Sequence, residues 1–139
     1  MKFFLSTLII LFLSNIVFAK NLFDSEEYIL KFDSFNINDV KTIKIDEIKI
    51  KSFQSVLKKI VTLSNYNEIN KNADILFVNN FILNMTINEE KIVNNHYFSK
   101  IQINFNKDLI INYLISNKIG YVDSSPKKFL LIVFEENKL

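Results

Sequence analysis

Cysteine, arginine and tryptophan are missing from this chain of 139 residues, and glycine, proline and histidine occur once each. Each absence removes a class of function. Phosphate-cradling loops and dinucleotide fingerprints need several glycines, and Gly120 stands alone. A structural zinc site needs converging Cys and His ligands, which one His96 cannot supply. Without arginine the chain lacks the best bidentate reader of phosphates and base edges. No small-molecule cofactor and no metal is therefore expected.

The charge balance points the same way. The formal net charge is +2. If Lys2 leaves with an export signal, 16 Lys face 15 carboxylates. Such a balance predicts neither a nucleic-acid nor an anionic-membrane partner. Ile, Asn, Lys and Phe make up 72 of the 139 residues, a skew shared by A- and T-rich codons, so lysine abundance carries little functional weight.

What is present suffices for a folded domain. The apolar fraction is 49% and the aromatic fraction 14%, enough for a core in one domain of ordinary size. The segment "MKFFLSTLIILFLSNIVFAK" reads as an export signal: Lys2 at the start, an apolar run from Phe3, and a small-residue cleavage site at Val17-Phe18-Ala19. Cleavage is expected after Ala19, leaving residues 20–139 as one domain in the periplasm that meets the membrane only during export. The alternative is an uncleaved anchor, because the uncharged run from Phe3 to Ala19 reaches 17 residues. No Cys follows that run, so a lipid-modified amino terminus is excluded, and the exported chain must hold together without disulfides.

The pattern of the mature chain predicts an α+β fold in the order β-α-β-β-α-β, with an antiparallel hairpin and two helices packed on the sheet. "EEYILKFDSFNI", from Glu26 to Ile37, reads as a first strand, and Asn38 and Asp39 as N-cap residues. The stretch "TIKIDEIKIK" could form a hairpin about Asp46-Glu47, but Glu is poor in a turn that needs positive φ. Helical spacing instead places Ile45, Ile48, Phe53, Val56, Leu57, Ile60 and Leu63 on one side of a helix from about 42 to 63. Glu47 and Lys51 would pair at i,i+4, with Lys58 and Lys59 near the negative C-terminal end.

Residues 64–72 read as a polar loop, and "ADILFVNN" as a helical turn or the lead-in to a strand. Two strands follow about an Asn94-Asn95 turn. Phe81, Leu83, Met85 and Ile87 share a face of the first, and Tyr97, Ile101, Ile103 and Phe105, with Ser99, share a face of the second. Across a two-residue turn these sets have opposite parity, which requires either a bulge within Asn88 to Lys91 or a loop of odd length. Asn106 caps a second helix with Leu109, Ile110, Tyr113 and Leu114 inside, and Gly120 supplies its stop. After Pro126, "KKFLLIVFE" is an unbroken apolar run, read as a strand covered on both faces.

Several of these features form one pattern: the Phe81-led strand, Glu89-Glu90, Tyr97 in the return strand, Ile103 and Phe105 at its end, the Leu-rich helix to Gly120, and Pro126 before an apolar strand. Over roughly residues 26 to 134 the chain resembles the proteobacterial envelope family catalogued as domain of unknown function 2066. It departs from that family in Ile and Lys along the first helix, where Ala and Arg are favoured, and in Asn106, where Asp is usual. The resemblance implies an exported protein, often the amino-terminal part of a longer chain, and brings no catalytic residues.

Few residues offer chemistry. Glu89 and Glu90 are neighbours in a strand and point to opposite faces unless a bulge turns one of them. His96 with Ser99 or Asp108 would be the start of a nucleophilic site, yet no nucleophile elbow accompanies it. Asn84-Met85-Thr86 matches a glycosylation sequon but lies within a strand. Ile111 and Ile115 lie opposite Leu109 and Tyr113, and would form an exposed apolar ridge suited to a partner. The expectation is a non-catalytic domain binding another envelope protein through a sheet edge or this ridge. The alternatives are the amino-terminal domain of a larger envelope protein, and a hydrolase working through His96.

Overall fold

The computed structural model describes residues 21–123. The expected signal and the expected strand after Pro126 lie outside the described residues. Within them the chain runs β1 (Tyr28–Asp33), α1 (Ile37–Ile60), α2 (Leu63–Asn70), α3 (Ile75–Asn79), β2 (Ile82–Val93), β3 (His96–Phe105) and α4 (Lys107–Ser116). The fold is α+β.

The three strands form one antiparallel sheet in the order β1-β3-β2. β1 and β2 therefore run parallel, with β3 inserted between them and the helices α1 to α3 in the connection: a split β-α-β unit. β1 is shorter than its sequence suggests. Residues upstream continue toward β3 irregularly, and Ser25 bridges the gap. Its backbone N–H donates to the Ile103 carbonyl at 2.8 Å, and its hydroxyl accepts the Ile103 N–H at 2.9 Å.

α1 starts at Ile37, earlier than the apolar spacing indicates, because Asn36 occupies the cap position and Asn38 and Asp39 fall inside the first turn. Asp39 still favours the positive end of the helix there, and its carboxylate accepts from the Asn36 side chain. The buried face of α1 holds Ile45, Ile48, Phe53, Val56, Leu57 and Ile60, as the spacing predicts, together with Ser52, which the apolar spacing does not mark. The helix also disposes of the hairpin about Asp46-Glu47. Glu47 pairs with Lys44 at 3.1 Å rather than with Lys51. Leu63 is the exception among the expected inward residues: it opens α2 and is exposed.

The expected polar loop at 64–72 is mostly helix. Thr62 accepts from the Asn65 N–H, Gln54 ties α1 to Asn70 at 2.8 Å, and only Ile69 is buried. Asp74 then caps α3 through the Phe77 N–H at 2.8 Å. This short helix delivers Phe77 to an aromatic cluster at the end of the sheet. Phe53 stacks on Phe81 at 5.3 Å, Phe77 meets Phe81 edge-on at 5.0 Å, and Tyr113 of α4 closes on Phe77 at 5.3 Å.

The hairpin contains the required parity break. Asn88 pairs with Lys100 and Lys91 with Phe98, so Glu89 and Glu90 together oppose Ser99. Glu89 sits at φ 52°, the left-handed conformation of a bulge, and Asn94 turns the chain at φ 54°. Below the bulge Met85 and Ile87 face inward beside Ile103 and Ile101. Leu83 does not join them. A second irregularity between Ile82 and Asn84 leaves it out of the ladder and exposed.

α4 also differs from the pattern at both faces and at its end. Asn106 caps it as expected, accepting from the Leu109 N–H at 3.1 Å. Ile110 and Leu114 are buried and Tyr113 half-buried, but Leu109 is exposed. Lys118, not Gly120, makes the stop: it lies at φ 58°. The Ile119 N–H returns to the Leu114 carbonyl at 2.8 Å and the Lys118 N–H to that of Ile115 at 2.9 Å. Those two bonds are a Schellman closure built on a lysine.

Candidate functional site

The alternation of strands separates the sheet into two chemically different faces. Inward lie Tyr28, Leu30 and Phe32 of β1, and Tyr97, Ser99, Ile101, Ile103 and Phe105 of β3, under the helices. Outward, β2 and β3 carry mostly polar residues: Asn84, Thr86 and Asn88 on one, Lys100, Gln102 and Asn104 on the other. Toward the hairpin this outer face changes. One cross-strand row reads Lys31–Phe98–Lys91 and the next Asp33–His96–Val93. These six residues line a shallow depression floored by the half-buried Phe98. The Lys31 ammonium lies 5.3 Å from the Phe98 ring centre. Beyond the tip, Phe35 is 96% exposed, the most uncovered large apolar side chain described.

The charges around the depression divide into paired and unpaired. His96 Nδ1 is hydrogen-bonded to the Asp33 carboxylate. Lys100 holds Glu89 at 2.5 Å, which keeps the Glu89 carboxyl below the ordinary range and raises Lys100. On the opposite face, the bulge sends Glu90 toward α1. Lys41 donates to it at 2.5 Å and the Tyr97 hydroxyl at 2.8 Å. The hydrogen bond from Lys41, and then that from Tyr97, hold the Glu90 carboxyl low, and Lys41 is raised chiefly by the same bond. Phe32 stacks on Tyr97 at 4.9 Å, fixing the ring that makes the contact.

The two glutamates thus leave the bulge on opposite faces and satisfy different lysines. They are not a facing acid/base pair. His96 is likewise separated from the partners expected of it. Ser99 is buried on the other face, and Asp108 opens α4 beyond the far end of β3, about 30 Å away at the rise of a strand. His96 gains Asp33 instead, and no hydroxyl bonds its other ring nitrogen among the described residues. No group of His, Cys, Asp or Glu that could hold a metal occurs among the described residues.

The apolar ridge on α4 does not form as its spacing suggests. Ile111 is half-buried and packs against the core, whereas Ile115 is exposed. The helix sits across the end of the sheet, between the aromatic cluster and α2, so it buries more than one face. No described helix is long and apolar enough to cross a membrane.

Neither Lys31, Phe98 and Lys91 nor Asp33 with His96 stood out in the sequence, although one signal was available. Phe98 is an apolar residue at a polar parity of β3, and such a mismatch marks an outer surface that departs from ordinary solvation. The chain matches no protein-family model, no curated protein and no solved structure.

Proposed function

We propose that this is an exported, non-catalytic domain that binds another cell-envelope protein through the uncovered side of its sheet. One observation carries the reading. The helices pack on the inner face alone, while the outer face and the free edges of β1 and β2 lie open among the described residues. An open antiparallel sheet offers both a surface and edge strands to a partner. β2 is a poor edge for strand addition where Glu89 and Glu90 bulge out of its ladder, since bulges and charges blunt such edges. The outer face at the hairpin end, with Phe98, Val93 and Phe35, is the better surface. Periplasmic location and kinship with domain of unknown function 2066 belong to the same proposal, supported by the amino-terminal segment and the hydrophobic pattern.

Site-specific photocrosslinking in living cells tests it. A crosslinking residue at Val93, on the outer face, should recover one reproducible envelope protein by mass spectrometry, and the same residue at Ile115 should not. A chain that yields no adduct from Val93, Phe98 or Phe35 and stays monomeric would overturn the reading.

A further inference from the structure

We propose that the depression at the hairpin end takes an acidic, extended segment of the partner protein, with a carboxylate met by the Lys31 and Lys91 ammonium groups beside the Phe98 ring. The inference rests on the protein-binding reading above and adds the chemistry of the partner. Register places Lys31, Phe98 and Lys91 side by side on three adjacent strands. Neighbouring strands lie about 4.8 Å apart, so the two lysines stand about 10 Å from one another across the ring. Lys100 on the same face already holds Glu89, and Asp33 is bonded to His96. Lys31 and Lys91, by contrast, hold no carboxylate in an ion pair among the described residues. Lys31 instead leans over the Phe98 ring. Besides the hydrogen bond from Lys100, Lys91 helps to hold the Glu89 carboxyl low through space without bonding it. The site therefore has an apolar floor and two cationic walls, neither ion-paired among the described residues.

An extended peptide matches this arrangement. Its alternate side chains fall on one side, so an acidic residue can meet the lysines while its neighbour in register packs on Val93 or Phe98. Nucleic acid fits less well, because the two lysines make one anion site rather than a track for successive phosphates, and the chain has neither arginine nor a strong net positive charge.

The test uses residues 20–139, isotope-labelled, with two synthetic probes: an acetylated Ser-Glu-Ser-Val-Ser-Glu peptide, whose Glu and Val side chains share one side when extended, and its counterpart with Lys for Glu. The glutamate peptide should shift the backbone amide resonances of Lys31, Lys91 and Phe98, and the lysine peptide should not. The Lys31→Glu, Lys91→Glu double variant, altered only at exposed positions, should keep its circular dichroism and reverse the preference at least tenfold. Equal binding of both peptides, shifts confined to other surfaces, or an outer face already covered by residues 124–139 would overturn the proposal. So would stronger shifts from a short oligothymidylate or from vesicles rich in phosphatidylglycerol. Crosslinking from Val93 separates this proposal from the one beneath it. A partner still captured by the charge-reversed protein overturns the acidic-segment inference and leaves the binding reading standing, whereas no capture by the native protein overturns both.

Discussion

Tyr97 donates its hydroxyl to Glu90 at 2.8 Å across the bulge that separates the two strands of the hairpin. The same carboxylate takes the Lys41 ammonium, so one side chain ties β2, β3 and α1 together. Its pKa is held below the ordinary carboxylate range, first by Lys41 and then by Tyr97. A depressed pKa stabilises the fold above the unfolded value, about 4.3 for Glu, and this contribution is lost as pH falls through the folded value. Stability should therefore decline on the acid side, below about pH 4–5. Glu90→Gln should flatten that part of the profile while weakening the fold near neutrality. Urea titrations of both proteins between pH 3 and 7 would check it. Because the carboxylate is partly exposed, the effect near neutrality should stay within about 1 kcal/mol.

Ser25 is fully buried, and its hydroxyl is the acceptor for the Ile103 N–H where the β1–β3 ladder is irregular. Ser25→Ala would leave that buried donor unpaired, at a cost of about 1–3 kcal/mol. Ser99, equally buried, has a hydroxyl without a partner among the described residues. Ser99→Ala removes an unmet polar group and should be neutral or stabilising. Chemical denaturation of the two variants should give opposite or clearly unequal shifts of the midpoint.

Lys118 closes α4 at φ 58°, a conformation that costs a residue bearing a Cβ about 1 kcal/mol or more and glycine little. Lys118→Gly should raise the melting temperature by a few degrees, corresponding to at most about 1 kcal/mol after the added chain entropy. Gly120→Ala, at a position without positive φ and with open space where a Cβ would stand, should not lower it. A fall in both variants would place the helix stop at Gly120 after all.

Ile111 and Ile115 should separate in the same assay. Ile111 packs against the core, so Ile111→Lys should destabilise the fold by about 1–3 kcal/mol. Ile115→Lys changes an exposed side chain and should stay within about 0.5 kcal/mol of the parent. Equal, negligible effects would restore the exposed ridge expected from helical spacing.

The sequence by itself determined the α+β class, the first strand and the long helix after it, and the hairpin and its following helix. It also determined most of the buried face of α1, the inward row of β3 and the need for a parity break, by a bulge or an odd loop, in the hairpin. These are consequences of period and parity, which act over a few residues and can be counted along the chain. α2 escaped because its residues are mostly polar and only Ile69 is buried, so no apolar period announces it. Tertiary structure alone decided which distant residues became neighbours. β3 lies between β1 and β2, and this places Lys31 and Lys91, sixty positions apart, on either side of Phe98. It also gives His96 the Asp33 carboxylate and packs Ile111 against the core. Local pattern states that a side chain is apolar or charged. Only strand order, register and the docking angle of a helix state what that side chain meets.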